Sequence, residues 1–282
     1  MKNYLSLVKF SHTIFAMPFA MVGFFLAVQQ QDQALNWRLL LLVIGCMVFA
    51  RSAAMAFNRY ADRDIDEKNP RTATREIPAG VISPNNALFF VIVNCLLFVL
   101  CTYFINTLCL LLSPVALAVV LGYSYTKRFT ALCHFVLGLG LALAPVGAYI
   151  AVTGSFALLP ILFGFVVLFW VSGFDIIYAL QDEEFDRSLG LNSIPAALGK
   201  SRALMLSNVL HLFTALLVIY AGLEASFGLW YWIGTGIFIS LLAYQHFLVK
   251  PNDLSKVNLA FFTTNGIAST IFGALVVIDT LY

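Results

Sequence analysis

The chain has 282 residues, 61% of them hydrophobic and only 11% charged, against roughly a quarter charged in soluble domains. That excludes a soluble globular fold, a disordered chain, a disulfide scaffold and a collagen-like repeat, and a net charge of +2 is too small to point to nucleic acid. What remains is an all-α polytopic membrane protein, since the apolar runs are long and continuous rather than the weak alternating segments of a β-barrel.

In chain order the runs predict nine transmembrane helices, over roughly 10–29, 37–61, 85–106, 108–126, 131–153, 157–181, 201–223, 228–249 and 257–279. The first, from Phe10 to Val28, lacks a plausible cleavage site and reads as a span rather than a removable signal. Its neighbours Lys9 and His12 read as an interface anchor and a hydrogen-bonded helix residue. Most connections are a few residues long. Two are long and polar, 62–84 and 182–200, and only these are large enough to cap a cavity. The connections after spans 2, 4, 6 and 8 hold Arg63, Lys68, Arg71, Arg75, Lys127, Arg128, Arg187, Lys200, Lys250 and Lys256, whereas the opposite side holds only Arg38. This asymmetry places the N-terminus and both long loops in the cytoplasm.

The second span ends in Asn58-Arg-Tyr-Ala-Asp62-Arg-Asp-Ile-Asp66. A spacing of four puts Asn58, Asp62 and Asp66 on one helix face. Three oxygen donors there form a half-site for Mg²⁺, which takes one or two carboxylates and completes its shell with water and phosphate oxygens. Arg51 lies seven residues earlier, inside the span and in phase with Asn58. Near the end of span 4, Tyr123 and Lys127 share a face, with Arg128 next to them. The sixth span ends in Tyr178-Ala-Leu-Gln-Asp182-Glu-Glu-Phe-Asp186, a second acidic pair at the same side of the membrane, and Asp175 lies seven residues before Asp182. Two cations held by the two acidic motifs could bridge a diphosphate, with Arg71, Arg75, Lys127 and Arg128 as phosphate contacts. An intramembrane Arg and Asp each cost on the order of 3 kcal/mol unless paired or lining a cavity. Arg51 and Asp175 therefore either form a bridge with each other or line a pocket, Arg51 holding an anionic aromatic acid and Asp175 its hydroxyl. His134, His211 and His246 read as hydrogen-bonded helix residues. Cys46, Cys95, Cys101, Cys109 and Cys133 read as small apolar packing residues.

Over nearly its whole length the chain resembles the UbiA superfamily of intramembrane prenyltransferases. The resemblance rests on the two acidic motifs, on Arg71-Thr-Ala-Thr-Arg75-Glu-Ile-Pro78-Ala-Gly80, on Tyr123-x-x-x-Lys127 and on Gly190-Leu-Asn-Ser193. Arg51 through Asn58 and Asp175 through Asp182 are similar to the 4-hydroxybenzoate branch. Val8-Lys9-Phe10-Ser11-His12-Thr13 is similar to a subgroup that also occurs in bacteria making menaquinone through futalosine. The resemblance implies one domain over 1–282, nine helices around a central cavity and a cytoplasmic cap. It implies Mg²⁺-dependent transfer of a polyprenyl group from its diphosphate to an aromatic acid in ubiquinone or menaquinone synthesis, in a bacterial inner membrane. The acceptor is then 4-hydroxybenzoate or, alternatively, a dihydroxynaphthoate. The other partners are membrane lipids, with no nucleic acid and no obligate protein partner. It gives Asn58, Asp62, Asp66, Asp182 and Asp186 the metal role, and Arg71, Arg75, Tyr123, Lys127 and Tyr178 contacts to substrate. Arg51 and Asp175 become acceptor-pocket residues. Many members carry Asp where this chain has Arg59, and Arg where it has Lys9. Two readings outside this one are a haem- or chlorophyll-type acceptor and a transporter or lipid-binding protein. The second would place its ionisable groups near the midplane rather than at one face.

Overall fold

The computed structural model describes residues 2–8, 15–32 and 34–282. Lys9 and His12, with the start of the first predicted span, lie outside them. The described residues build helices in the order α1 (Lys2–Leu7), α2 (Met17–Gln30), α3 (Trp37–Ala61), α4 (Arg63–Lys68), α5 (Pro84–Ile105), α6 (Thr107–Thr126), α7 (Cys133–Thr153), α8 (Leu158–Ala179), α9 (Glu183–Ser188), α10 (Ile194–Leu198), α11 (Lys200–Glu224) and α12 (Leu229–Leu248). A π-helical segment, Leu259–Thr264, then leads into α13 (Asn265–Leu281). Seven helices are long and apolar enough to cross a membrane, among the described residues. The nine predicted crossings are therefore not all met by that measure: α2 has 14 described residues, and α12 carries Trp, Tyr, Gln and His side chains that dilute its apolar character.

Local chemistry sets the helix ends. Asn36 caps α3 by accepting from the Leu39 N–H (3.1 Å), and Ser83 caps α5 ahead of Pro84, whose missing N–H costs nothing at the first helical position. Asn106 caps α6 through its oxygen to the Cys109 N–H (2.8 Å), while its amide donates to the Ile150 carbonyl (2.9 Å), tying the α5–α6 corner to α7.

The bundle closes through small residues rather than through water-driven burial, as helices in lipid must. A Cβ on Gly23 of α2 would lie 2.0 Å from the Pro145 carbonyl oxygen of α7, and one on Gly273 of α13 would lie 2.5 Å from Pro18 of α2. Helix α2 is thus held between α7 and α13 at backbone contact. At the centre, α8 packs against α7 and α11, and Trp170 sits fully buried among Phe19, Phe174 and Phe238.

One polar hub crosses this apolar interior. Asn265 is fully buried and accepts from Trp170 Nε1 (2.9 Å) and Gln245 Nε2 (2.6 Å). Its amide donates to the carbonyls of Ala260 (3.1 Å) and Phe261 (3.0 Å), which the wider π turn leaves available.

Candidate active site

The acidic motifs stand where the long helices stop. Helix α3 ends at Ala61, Asp62 forms the joint and α4 continues, so Asn58, Asp62 and Asp66 remain within one nearly continuous helical run, with the Asp62 N–H on the Asn58 carbonyl (2.9 Å) and the Asp66 N–H on the Asp62 carbonyl (2.7 Å). The second motif is similarly broken: α8 ends at Ala179, a single 3₁₀ turn covers Leu180–Asp182, and α9 carries Asp186. Both motifs line one cavity of about 770 Å³.

Asp62, Asp66 and Asp182 each have a counter-group. Asp62 is buried and meets Lys127 Nζ at 2.7 Å and Arg128 Nη2 at 3.5 Å, and Asn58 donates its amide to it at 3.1 Å. Burial pushes the Asp62 carboxyl above the usual range, and the charge and hydrogen bond of Lys127 oppose that push. Arg75 Nη1 is 2.8 Å from both oxygens of Asp66. Asp182 accepts from Asn69 (3.0 Å) and twice from Arg71, once through Nε at 3.0 Å and once through Nη2. Arg71 also donates to the Tyr178 hydroxyl (3.1 Å) and lies over that ring. Burial works against the Arg71 charge, but the bonds to Asp182 outweigh it and hold the guanidinium above its ordinary range. Ser193, just before α10, lines the same cavity as Asp186. The first long loop is therefore fastened to the second through Arg71 and Asn69 on Asp182, and the second to α6 through the Asn192 N–H on the Lys127 carbonyl (2.7 Å).

Deeper in, Arg51, Tyr123 and Asp175 line the same cavity. Arg51 and Asp175 make no pair with each other among the described residues. Asp175 is instead held by His134 Nδ1 at 2.7 Å, and Arg51 Nε is buried without a partner. The bridge reading of these two residues is thus replaced by a pocket-lining one. Arg51 and Tyr123 also line a second, apolar chamber of about 300 Å³, walled by Val43, Met47, Phe98, Leu112 and Ala144. Arg51 and Tyr123 thus line both a polar cavity and an apolar one.

Arg59, which departs from the family pattern, and two phenylalanines not singled out from sequence complete the walls. Arg59 is buried in the cavity with Nη1 unpartnered. Phe261 and Phe262, adjacent in the chain, both reach the cavity from the π segment, Phe261 stacking on Tyr178 at 4.1 Å between ring centres. His211 and His246, on α11 and α12, meet at 2.8 Å away from the cavity.

The donor set fits Mg²⁺. Among the described residues no three His, Cys, Asp or Glu side chains converge into a finished cage, but Mg²⁺ needs only one or two carboxylates when phosphate oxygens and water supply the rest. The cavity offers two such pairs, with Asp62, Asp66 and Asp182 balanced by cations that an incoming anion could engage.

The model of the UbiA prenyltransferase family matches residues 16–267. The chain belongs to the UbiA prenyltransferase family. Among UbiA-family relatives, a 4-hydroxybenzoate octaprenyltransferase of Aliivibrio fischeri (strain MJ11) is 31% identical over 245 residues, covering 85% of this chain and 83% of that one. One of Nitrosomonas europaea is 30% identical over 246 residues, covering 86% and 82%. The apo structure of a UbiA homolog from Aeropyrum pernix K1 superposes with a TM-score of 0.85 at 34% identity, covering 95% of this chain and 98% of that one. A UbiA homolog from Archaeoglobus fulgidus bound to GPP and Mg²⁺ shares the fold, with a TM-score of 0.76 at 23% identity, covering 99% and 100%.

Proposed function

We propose that this chain transfers a polyprenyl group from polyprenyl diphosphate to the ring of 4-hydroxybenzoate, in quinone biosynthesis, in the bacterial plasma membrane. The single observation that carries the reading is a pair of adjoining spaces: a cavity with paired acids and bases and an apolar chamber, with Arg51 and Tyr123 lining both. That is the shape and polarity of a diphosphate with a long hydrocarbon tail. The names of the curated relatives support the acceptor. The excess of Arg and Lys on that side supports a cytoplasmic opening, with 62–84 and 182–200 as its cap within a single domain over 1–282.

In this reading Asn58, Asp62 and Asp66 on one side and Asp182 and Asp186 on the other hold Mg²⁺ together with the diphosphate. When bound, the metal draws charge from the leaving group. The chain's own residues do the rest. Lys127, Arg71 and Arg75 turn from their carboxylates to the diphosphate and stabilise the charge that grows on it as the allylic C–O bond breaks. Tyr123 and Tyr178 flank the same space. Arg51 meets the acceptor carboxylate, a buried cation with a free N–H awaiting an anion. Asp175 accepts the hydrogen bond of the phenol hydroxyl, which raises electron density at the ortho carbon. That carbon bonds to the prenyl carbon, and the ring proton passes to the released diphosphate as aromaticity is restored. The apolar walls keep water from capturing the prenyl cation.

The test is an acceptor screen with the purified protein, labelled polyprenyl diphosphate and Mg²⁺, with EDTA controls. EDTA-sensitive prenylation of 4-hydroxybenzoate is expected, and Asp62→Ala or Asp182→Ala should abolish it. Product only with a dihydroxynaphthoate would keep the chemistry and move the acceptor. No product with either acceptor from folded protein would overturn the reading.

A further inference from the structure

His134 has no task in the mechanism above, yet it touches the deepest carboxylate of the cavity. It lies at the start of α7 and is almost fully buried. Its Nδ1 is 2.7 Å from Asp175 Oδ2, and its Nε2 is 3.3 Å from the backbone nitrogen of Ile194. A backbone N–H can only donate, so Nε2 must offer its lone pair there. The ring proton of the neutral imidazole is therefore on Nδ1 and aimed at Asp175.

Two consequences follow from that tautomer. Asp175 has one oxygen fixed by a donor, which leaves its other oxygen for a ligand. And the imidazole is not built to pass protons. Protonating Nε2 would set two N–H groups against each other at Ile194, so a proton received at Asp175 has no onward path through the ring. The far side of the contact is also informative. Ile194 is the first residue of α10, and the preceding Ser193 accepts from the Ala196 N–H (3.3 Å) and lines the cavity alongside Asp186. Asp175, His134 and Ile194 thus form one chain of contacts from the deep carboxylate to the second long loop, beside the second acidic motif.

We infer that His134 is a positioning residue for the aromatic acceptor: it fixes the orientation of Asp175 and makes that orientation depend on the 193–194 segment carried by the second long loop. The inference rests on the reading that Asp175 meets the acceptor hydroxyl. Holding a reacting group within about 1 Å of its working place is worth about 100-fold in rate.

The experiment uses three variants of the full chain in detergent, with kcat and both KM values for prenyl transfer and with Mg²⁺-dependent binding of inorganic pyrophosphate. His134→Ala is expected to lose 10- to 100-fold in kcat, on the order of that positioning effect, with the diphosphate KM and pyrophosphate binding unchanged. His134→Asn places an amide N–H where Nδ1–H was, and is expected to recover most of the lost kcat. His134→Gln reaches the Nε2 position and can serve Ile194 but not Asp175, so it stays as slow as the Ala variant. Wild-type kcat in His134→Ala, or recovery by Gln and not by Asn, would overturn the inference. Loss of pyrophosphate binding in all three would make His134 a purely structural residue, which also overturns it. A wild-type protein that prenylates neither acceptor would instead sink the reading of the site, a failure visible before any variant is made.

Discussion

Lys127→Met separates the two duties the structure gives that lysine. In the ligand-free arrangement Lys127 Nζ lies 2.7 Å from an Asp62 carboxylate whose side chain is only 3% exposed. Removing one partner of a buried pair costs about 3–5 kcal/mol. Arg128 at 3.5 Å and the Asn58 amide at 3.1 Å remain, so the lower end, about 3 kcal/mol, is the relevant figure. Whatever then neutralises Asp62 recovers part of that energy. Without a diphosphate present, Mg²⁺ is such a species, and the variant should bind Mg²⁺ at least about tenfold more tightly, which is about 1.4 kcal/mol. Inorganic pyrophosphate should move the opposite way. It loses a charge-assisted hydrogen bond worth about 1.5–3 kcal/mol, so its affinity should fall by about 10- to 100-fold. Isothermal titration calorimetry of the detergent-purified protein in mildly alkaline buffer reads both. The sign with pH is fixed too: burial already raises the Asp62 carboxyl and Lys127 opposes that rise, so the variant holds its proton to higher pH and the Mg²⁺ gain is lost as pH falls. Mg²⁺ and pyrophosphate affinities that weaken together would refute the view that Lys127 is an exchangeable partner of Asp62.

Arg51→Ala should raise the acceptor KM by about 10- to 100-fold, the worth of one charged hydrogen bond, and leave the diphosphate KM nearly unchanged; equal effects on both would remove its acceptor role. Asn265→Leu breaks four buried hydrogen bonds. The expected loss runs from about 2 kcal/mol, at about 0.6 per bond inside a membrane, to about 6 if the Trp170 and Gln245 donors are left orphaned. Unfolding in mixed micelles measures it, and a loss below about 0.5 kcal/mol would contradict the hub. Gly23→Ala puts a methyl 2.0 Å from a backbone oxygen that cannot step aside. Overpacking of this kind costs about 1–3 kcal/mol, and an unchanged melting temperature would show that α2 and α7 can separate freely.

Local spacing made part of this site legible. A period of four is a property of neighbouring residues, so Asn58, Asp62 and Asp66 could be placed on a face even though the helix breaks at Asp62. The matching depth of Arg51 and Asp175 came from the same arithmetic of helix phase. What spacing cannot report is which side chain of another helix stands opposite. Asp175 and His134 are 41 positions apart, and nothing in either segment selects that contact over one with Arg51. Arg59 was legible only as a departure from a pattern; its burial with an unpartnered nitrogen depends on how α3 packs. The π segment was invisible for a different reason. Its sequence, Leu259-Ala-Phe-Phe-Thr-Thr264, carries no charge and continues the apolar run into α13, so hydropathy reads the same whether the turn has 3.6 residues or more.

That segment bears on which changes of length the chain can absorb. A π turn carries one residue more than an α turn over the same rise. Deleting one residue within 259–264 would let the strand of hydrogen bonds close to ordinary pitch and leave α13 in register, with Gly273 still facing Pro18. Deleting one residue farther along α13 would instead turn every later side chain by about 100°. The surplus residue is still used by the bundle, because the carbonyls of Ala260 and Phe261 in that turn take the Asn265 amide. The cavity draws on the same turn, since Phe261 and Phe262 both line it from there.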